Sequence, residues 1–352
     1  MQTTHDILFG SARNMRTIEA ETIALVVTSP PYPMISMWDL LFALQNPDIK
    51  VALENGNGYK AFEAMHSILD EVWRECSRVL MPGGFLCINI GDATRKIGAH
   101  FRLFTNHARI ISSCEALGFH SLPPLLWRKQ TNSPTKFMGS GMLPAGAYVT
   151  LEHEYILVFR KGGNRRFSED GRIIRKRSAL FWEERNSWFS DLWDFKGIRQ
   201  PLSQKGCRSR SAAFPFELAF RLINMFSIQN DTVLDPFLGT GTVTAAAIAS
   251  ARNSVGVEID SGLCGLIKET ITAATEAGNK RQSKRLSDHL HFVEDKELQH
   301  RNSFYCFPVV TAQETTLRLP RTRSVTTEQT PPPSPSRFRY HSDHDFYEAS
   351  EL

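Results

Sequence analysis

The residues predict an α/β fold, an open and mostly parallel sheet with helices on both faces, on three observations. The apolar run 23–27 (Ile-Ala-Leu-Val-Val) stops before Pro30 and Pro31, which fix φ and cannot donate to a sheet ladder, so it reads as a buried strand ending in a polar loop. Residues 231–249 read as strand, glycine turn and Ala-rich helix, with Gly239 and Gly241 in the turn, and 254–260 as a second strand closing on Glu258 and Asp260. Residues 78–90 pass through Pro82, Gly83 and Gly84 into the apolar strand 85–90. In such sheets ligands bind at the carboxyl ends of the strands.

The 352 residues allow one large domain with an insert, or two domains. A net charge of +4 permits nucleic acid as a partner without demanding it, so the distribution of charge has to decide. The six cysteines include no C-x-x-C pair, which argues against structural zinc and for a reducing compartment. The first residues lack a basic start followed by an apolar core, and no apolar run reaches about eighteen residues, so a soluble, cytoplasmic protein is expected, with no membrane partner.

In chain order, residues 7–11 read as a short strand and turn ahead of a brief helix over 14–18. The loop Ser29-Pro30-Pro31-Tyr32 then offers the Ser29 hydroxyl and the Ser29 and Pro30 carbonyls as acceptors on a stiff backbone, beside the flat ring of Tyr32. Two acceptors that take the hydrogens of an exocyclic amino group on a nucleobase draw its nitrogen toward a nucleophilic form while an aromatic face stacks on the base. The alternative is a Pro-Pro turn that caps a strand. Trp38 either lines a base pocket or packs a helix against the sheet. Residues 61–78 place Phe62, Met65, Ile68, Leu69, Val72 and Trp73 at helical spacing, 109–117 suggest another helix, and 125–129 and 152–160 two more strands. Glu152 and His153 read as strand residues, because no H-E-x-x-H frame surrounds them. The polar, glycine-rich stretch 130–141 between them has the composition of a mobile loop.

From 162 to 210 basic residues outnumber acids, with Trp182, Trp188 and Trp193 interleaved. Arg165, Arg166, Arg172, Arg175, Lys176 and Arg177 are the DNA-binding candidates there, the alternative for any one of them being a solvated face. A helix follows, starting near Pro215. The strand, glycine loop, helix and an acid about twenty residues on follow the logic of adenosine recognition, with the carboxylate for ribose hydroxyls. There is no Walker lysine. Past residue 278 the periodicity fades, 331–336 is rich in proline, and His341, Asp343, His344 and Asp345 read as a solvated charge run, so 279–352 is expected to be a disordered tail.

The Thr28-Ser29-Pro30-Pro31-Tyr32 loop and the Asp235-Pro236-Phe237-Leu238-Gly239-Thr240-Gly241-Thr242 loop together resemble those of the amino-methylating DNA methyltransferases. Their order, catalytic loop first, resembles the permuted, beta-type members. The resemblance covers roughly residues 6–275 and implies a circularly permuted Rossmann-like fold that uses S-adenosylmethionine, with a catalytic half at 1–160, a target-recognition insert at 161–210 and a cofactor-binding half at 211–278. It implies Ser29, Pro30, Pro31 and Tyr32 as the catalytic loop. Ser11, Thr28, Phe214, Pro215, Asp235, Phe237, Gly239, Gly241, Thr242 and Glu258 would hold the cofactor, with no metal. The family's acid near Ser11 is missing here. Serine before the prolines and the Met37-Trp38-Asp39 continuation resemble the N4-cytosine subgroup. That implies methylation of cytosine N4 in double-stranded DNA by base flipping, with a cognate restriction endonuclease as a candidate partner and a monomer or homodimer as the working form. The alternatives are adenine N6 as the target, or a non-catalytic DNA-binding module that keeps the fold. Cytosine-C5 enzymes resemble one another in a Pro-Cys nucleophile, and no Pro-Cys dipeptide occurs here.

Overall fold

The structure, a computed structural model, describes residues 1–129, 138–197, 214–328 and 337–348. Most of the polar stretch before residue 138, Arg199, Lys205, Arg208 and Arg210, and the prolines at 331–333 lie outside the described residues.

The chain opens with β1 (Gln2–Phe9) and β2 (Ile23–Thr28), followed by α1 (Asp39–Gln45), α2 (Asp48–Glu54) and α3 (Gly58–Val79). Residues 14–18, expected to be helical, form turns. Next come β3 (Leu80–Ile90), the hairpin β4 (Ala93–Ile97) and β5 (His100–Phe104), α4 (Asn106–Ala116), β6 (Phe119–Arg128), the small hairpin β7 (Met138–Gly139) and β8 (Ala147–Tyr148), and β9 (His153–Lys161). The basic stretch contributes α5 (Glu169–Arg177), α6 (Trp182–Trp188) and β10 (Leu192–Asp194). After α7 (Phe216–Phe226), β11 (Thr232–Asp235), α8 (Thr242–Ala249) and β12 (Asn253–Glu258), α9 (Cys264–Val293) leads into β13 (His300–Arg301), β14 (Pro308–Val309), β15 (Pro320–Thr327) and β16 (Arg337–Phe346).

Ten of the described strands form one sheet in the order β10-β6-β9-β3-β2-β11-β12-β1-β16-β15. The central run from β3 to β1 is parallel, and among the described strands of this sheet β9 and β16 alone run against the rest. Burial of β2 on both faces explains why it sits at the centre. Ile23 and Val26 face a core built with Met65, Leu69, Val72 and Trp73 of α3. Leu25 and Val27 face a second core with Leu218, Leu222 and Ile223 of α7 and Ala246 of α8.

The expected disordered tail is a correction. α9 continues well past residue 278, and β16 pairs antiparallel with both β1 and β15 to extend the sheet. Gly278 lies where α9 crosses α8, and a Cβ there would sit 2.6 Å from that of Ala249. Beyond it the inner face of α9 is polar yet buried. Gln282 donates to the Ala249 carbonyl at 2.7 Å, Arg285 clamps Glu184 of α6 at 2.6 and 2.7 Å, and His289 meets Glu183 at 2.9 Å. Polar groups at these positions interrupt the apolar stripe, of which Leu286 and Val293 remain, so no helical period is visible. The His341–Asp345 run is paired rather than solvated: Asp345 takes Arg321, the His344 ring meets Thr3, and Asp6 of β1 takes Arg337 and Arg339. The insert and the C-terminal segment also share an apolar cluster, Phe181 packing among Leu286, Phe307, Leu317 and Tyr347.

Candidate active site

The two sequence loops leave neighbouring strands, so the sheet itself brings them together. Thr28, last residue of β2, donates its hydroxyl to Asp235 Oδ1 of β11 at 2.7 Å, and the same oxygen accepts the Phe237 amide at 3.0 Å. Burial pushes the Asp235 carboxyl up to about 7, with the two hydrogen bonds opposing and the nearby Glu258 charge adding to the rise.

Asp235 opens onto a cleft with ≈ 1150 Å³ of empty space, mouth included. Trp38, Leu69, Val72, Phe237 and Val257 give it apolar walls, while Ser11, Ser29, Thr240, Thr242 and Glu258 supply polar groups. Gly239 and Gly241 adopt φ of +56° and +89°, which turns the chain sharply into α8. Glu258 is held at both oxygens, accepting the amides of Gly239 and Asp260 at 2.8 Å each. A fixed carboxylate at a strand end, beside apolar walls and a glycine turn, suits ribose hydroxyls and an adenine ring.

On the other side of the Ser29 loop lies a hydrogen-bonded chain of side chains. Ser29 Oγ donates to Tyr32 Oη at 3.1 Å, and Tyr32 Oη donates to Glu154 Oε2 at 2.9 Å. Asn89 Nδ2 of β3 donates to both Tyr32 Oη (2.8 Å) and Glu154 Oε2 (2.7 Å), and the Lys129 ammonium pairs with Glu154 Oε1. Burial and the Glu154 charge raise Tyr32 well above the usual phenol range, so its hydroxyl stays protonated and points at the carboxylate. Ser29 thereby commits its own proton to Tyr32, leaving its lone pairs as acceptors.

Residues 23–269 match the DNA methylase family of N6/N4 amino-methylating enzymes. The chain belongs to that family. It is 51% identical over 327 residues to the type II methyltransferase M.MthZI of Methanothermobacter thermautotrophicus, a match covering 92% of each chain. It is 29% identical over 258 residues to the DNA adenine methyltransferase YhdJ of Escherichia coli, covering 72% of this chain and 78% of that one. The protein TTHA0409 of Thermus thermophilus, solved in complex with S-adenosyl-L-methionine, shares the fold with a TM-score of 0.59 and 34% identity over 77% of this chain and 94% of that one. S-adenosylmethionine is the methylase's cofactor.

Most residues read from the sequence as cofactor-binding gather at the cleft of this methylase. Ser11, Phe214, Asp235, Phe237, Gly239, Thr242 and Glu258 line it; Thr28 stands behind Asp235, Pro215 caps α7 beside Phe214, and Gly241 shapes the turn against Ile267. Trp38 does two jobs, buried in the core and lining the cleft.

The basic candidates go elsewhere. Arg165 clamps Asp231 at 2.6 and 2.7 Å, just before β11 begins, and Arg177 donates to Gln229 at 2.7 Å. Arg165 and Arg175 share a recess with Ala24 and Gly83, at the amino ends of the strands. Arg166, Arg172 and Lys176 lie on or beside the same short helix, away from the Ser29 loop. Trp188 and Trp193 are buried, and Trp182 stacks on Phe292. Sequence reasoning missed Asn89, Lys129 and Glu154. The available signal was a carboxylate, Glu154, at the head of the apolar run 155–159.

Proposed function

We propose that the protein transfers a methyl group to the exocyclic N4 of cytosine in duplex DNA, as the modification enzyme of a type II system paired with a restriction endonuclease. The observation that carries this reading is the directed chain from Ser29 through Tyr32 to Glu154. It leaves Ser29 Oγ an acceptor at the mouth of the cofactor cleft.

S-adenosylmethionine supplies an electrophilic methyl on a sulfonium sulfur. Asp235 and Glu258 hold it, and the flipped base stacks on Tyr32 with its amino hydrogens accepted by Ser29 Oγ and the Pro30 carbonyl. Pro31 keeps that carbonyl in place. When the amino nitrogen gains its methyl it must shed a proton. Ser29 takes it while passing its own to Tyr32, and Tyr32 passes one to Glu154, so the proton ends on a carboxylate that it neutralises and that Lys129 and Asn89 hold in position. No covalent attack is needed, and burial pushes the thiols of Cys76, Cys87 and Cys114 up, away from nucleophilic duty.

Serine rather than aspartate before the prolines favours cytosine. The likeness to YhdJ, named as an adenine methyltransferase, favours adenine N6 as the second reading. Digesting methylated DNA to nucleosides and identifying the product by mass spectrometry decides. N4-methylcytosine is expected, N6-methyladenine would move the target base and keep the chemistry, and 5-methylcytosine would overturn both.

A further inference from the structure

Two hairpins follow the carboxyl ends of β3 and β6, the strands next to β9, which carries Glu154. The β4–β5 hairpin begins three residues after Ile90, the end of the strand that carries Asn89. Arg95 ties it down, donating to both carboxylate oxygens of Asp39 at 2.7 and 2.6 Å and to the Met34 carbonyl at 3.4 Å, in the segment that follows Tyr32. Ile97 and Phe104 pack on Gly58 at the start of α3, where an added Cβ would meet them at 3.3 and 3.0 Å. The β7–β8 hairpin lies in the sequence between Lys129 and Glu154, which pair with each other. The hairpins touch, the Phe101 and Tyr148 rings stacking at 4.7 Å between centroids and 17° between planes.

Their exposed chemistry is complementary. Residues 93–104 carry Arg95, Lys96, His100 and Arg102 and no acid. Arg95 is spent on Asp39, whereas Lys96, His100 and Arg102 are exposed, and among the described residues neither Lys96 nor Arg102 enters an ion pair. Residues 138–149 carry no charge and expose Met142 (83%), Leu143 (70%) and Val149 (85%). Exposed cations outside an ion pair hold phosphates, Arg102 being propped over the Phe104 ring at 5.2 Å, and apolar side chains fill the gap that a base leaves in the stack. The arginines of α5 belong to the opposite end of the sheet, where Arg175 lines the recess with Ala24 and Gly83 and Arg177 is bonded to Gln229.

We propose that this hairpin pair is the face on which duplex DNA docks. Lys96, His100 and Arg102 hold backbone phosphates, and the Met142–Leu143 tip meets the base stack beside the extruded nucleotide. The proposal rests on the DNA-methylating reading above and assigns the surface that serves it. The probe is a fluorescein-labelled duplex containing the methylated sequence, located by sequencing modified DNA, with binding followed by anisotropy over a series of salt concentrations and cofactor binding by calorimetry. Each lost phosphate contact lowers the log–log salt slope by roughly 0.9, so Lys96→Ala/Arg102→Ala is expected to lower it by about 1.8. Arg172→Ala/Arg175→Ala is expected to leave the slope unchanged, and both variants to bind S-adenosylmethionine normally, which shows them folded. Met142→Ser/Leu143→Ser is expected to bind the duplex within a few-fold of wild type yet lose the fluorescence rise of 2-aminopurine placed at the target position. A wild-type slope in the Lys96/Arg102 variant, or a wild-type 2-aminopurine signal in the Met142/Leu143 variant, overturns the role of that hairpin. A native protein that binds cofactor but neither binds nor methylates any duplex defeats the DNA-methylating reading instead.

Discussion

Asp235→Asn tests the electrostatics of the cofactor cleft. The native carboxyl holds its proton up to about pH 7, against an ordinary value of 3.8. Because the folded state binds the proton more tightly than the unfolded chain, this group's contribution to stability is fully present below about pH 4. It declines as pH rises through the folded value and is gone above it. A shift of roughly three units corresponds to about 4 kcal/mol over the whole window, of which about 2.7 kcal/mol falls between pH 5 and pH 8. Asparagine keeps an oxygen for the Thr28 hydroxyl and the Phe237 amide and cannot ionise. Wild type should therefore lose about 2.7 kcal/mol relative to the variant when urea unfolding, followed by tryptophan fluorescence, is repeated from pH 5 to pH 8. The variant should also bind S-adenosylmethionine at least tenfold more weakly in calorimetry, a loss of about 1.4 kcal/mol. Parallel pH profiles for the two proteins would refute the claim that burial controls this carboxyl.

Two further outcomes are expected. Glu154→Gln takes from Tyr32 a charged acceptor worth about 1.5–3 kcal/mol, so single-turnover methylation should slow roughly ten- to a hundredfold while cofactor affinity holds; an unchanged rate would detach Glu154 from the chemistry. A chain ending at Gly278 should be insoluble or lack a cooperative unfolding transition. It removes β15, β16 and the buried Tyr305, Phe307, Leu317, Leu319 and Tyr347, each worth about 1.5–3 kcal/mol, against a total stability of about 5–15 kcal/mol. A soluble, cooperatively folded product would return that segment to the status of a tail.

The placement of the two loops was legible. Ser29 to Tyr32 and Asp235 to Thr242 each hold strand end, turn and reactive groups in one short run, and their meeting at Thr28 and Asp235 follows from β2 and β11 being neighbours. The Asn89, Lys129 and Glu154 constellation was not legible, because no spacing rule links three strands that only the sheet order brings together. The C-terminal segment was hidden for a different reason. α9 and β16 bury charged and polar groups whose partners, Glu183, Glu184, Asp6 and Thr3, lie far away in the sequence, so their patterns imitate a solvated surface. The arginines of α5 show that counting cations finds a charged segment but not the side of the sheet it occupies.

The clamp between Glu184 and Arg285 bears on how this enzyme can be recombined with its relatives. Both partners are almost wholly out of water, and stranding one of a buried pair costs about 3–5 kcal/mol. Segment 161–197 and segment 279–348 are therefore one inheritable cassette despite their distance along the chain. A chimera that imports the first from another methylase without the second inherits an orphaned charge and a bare Phe181, whereas one that moves both carries its own counterion and its own core with it.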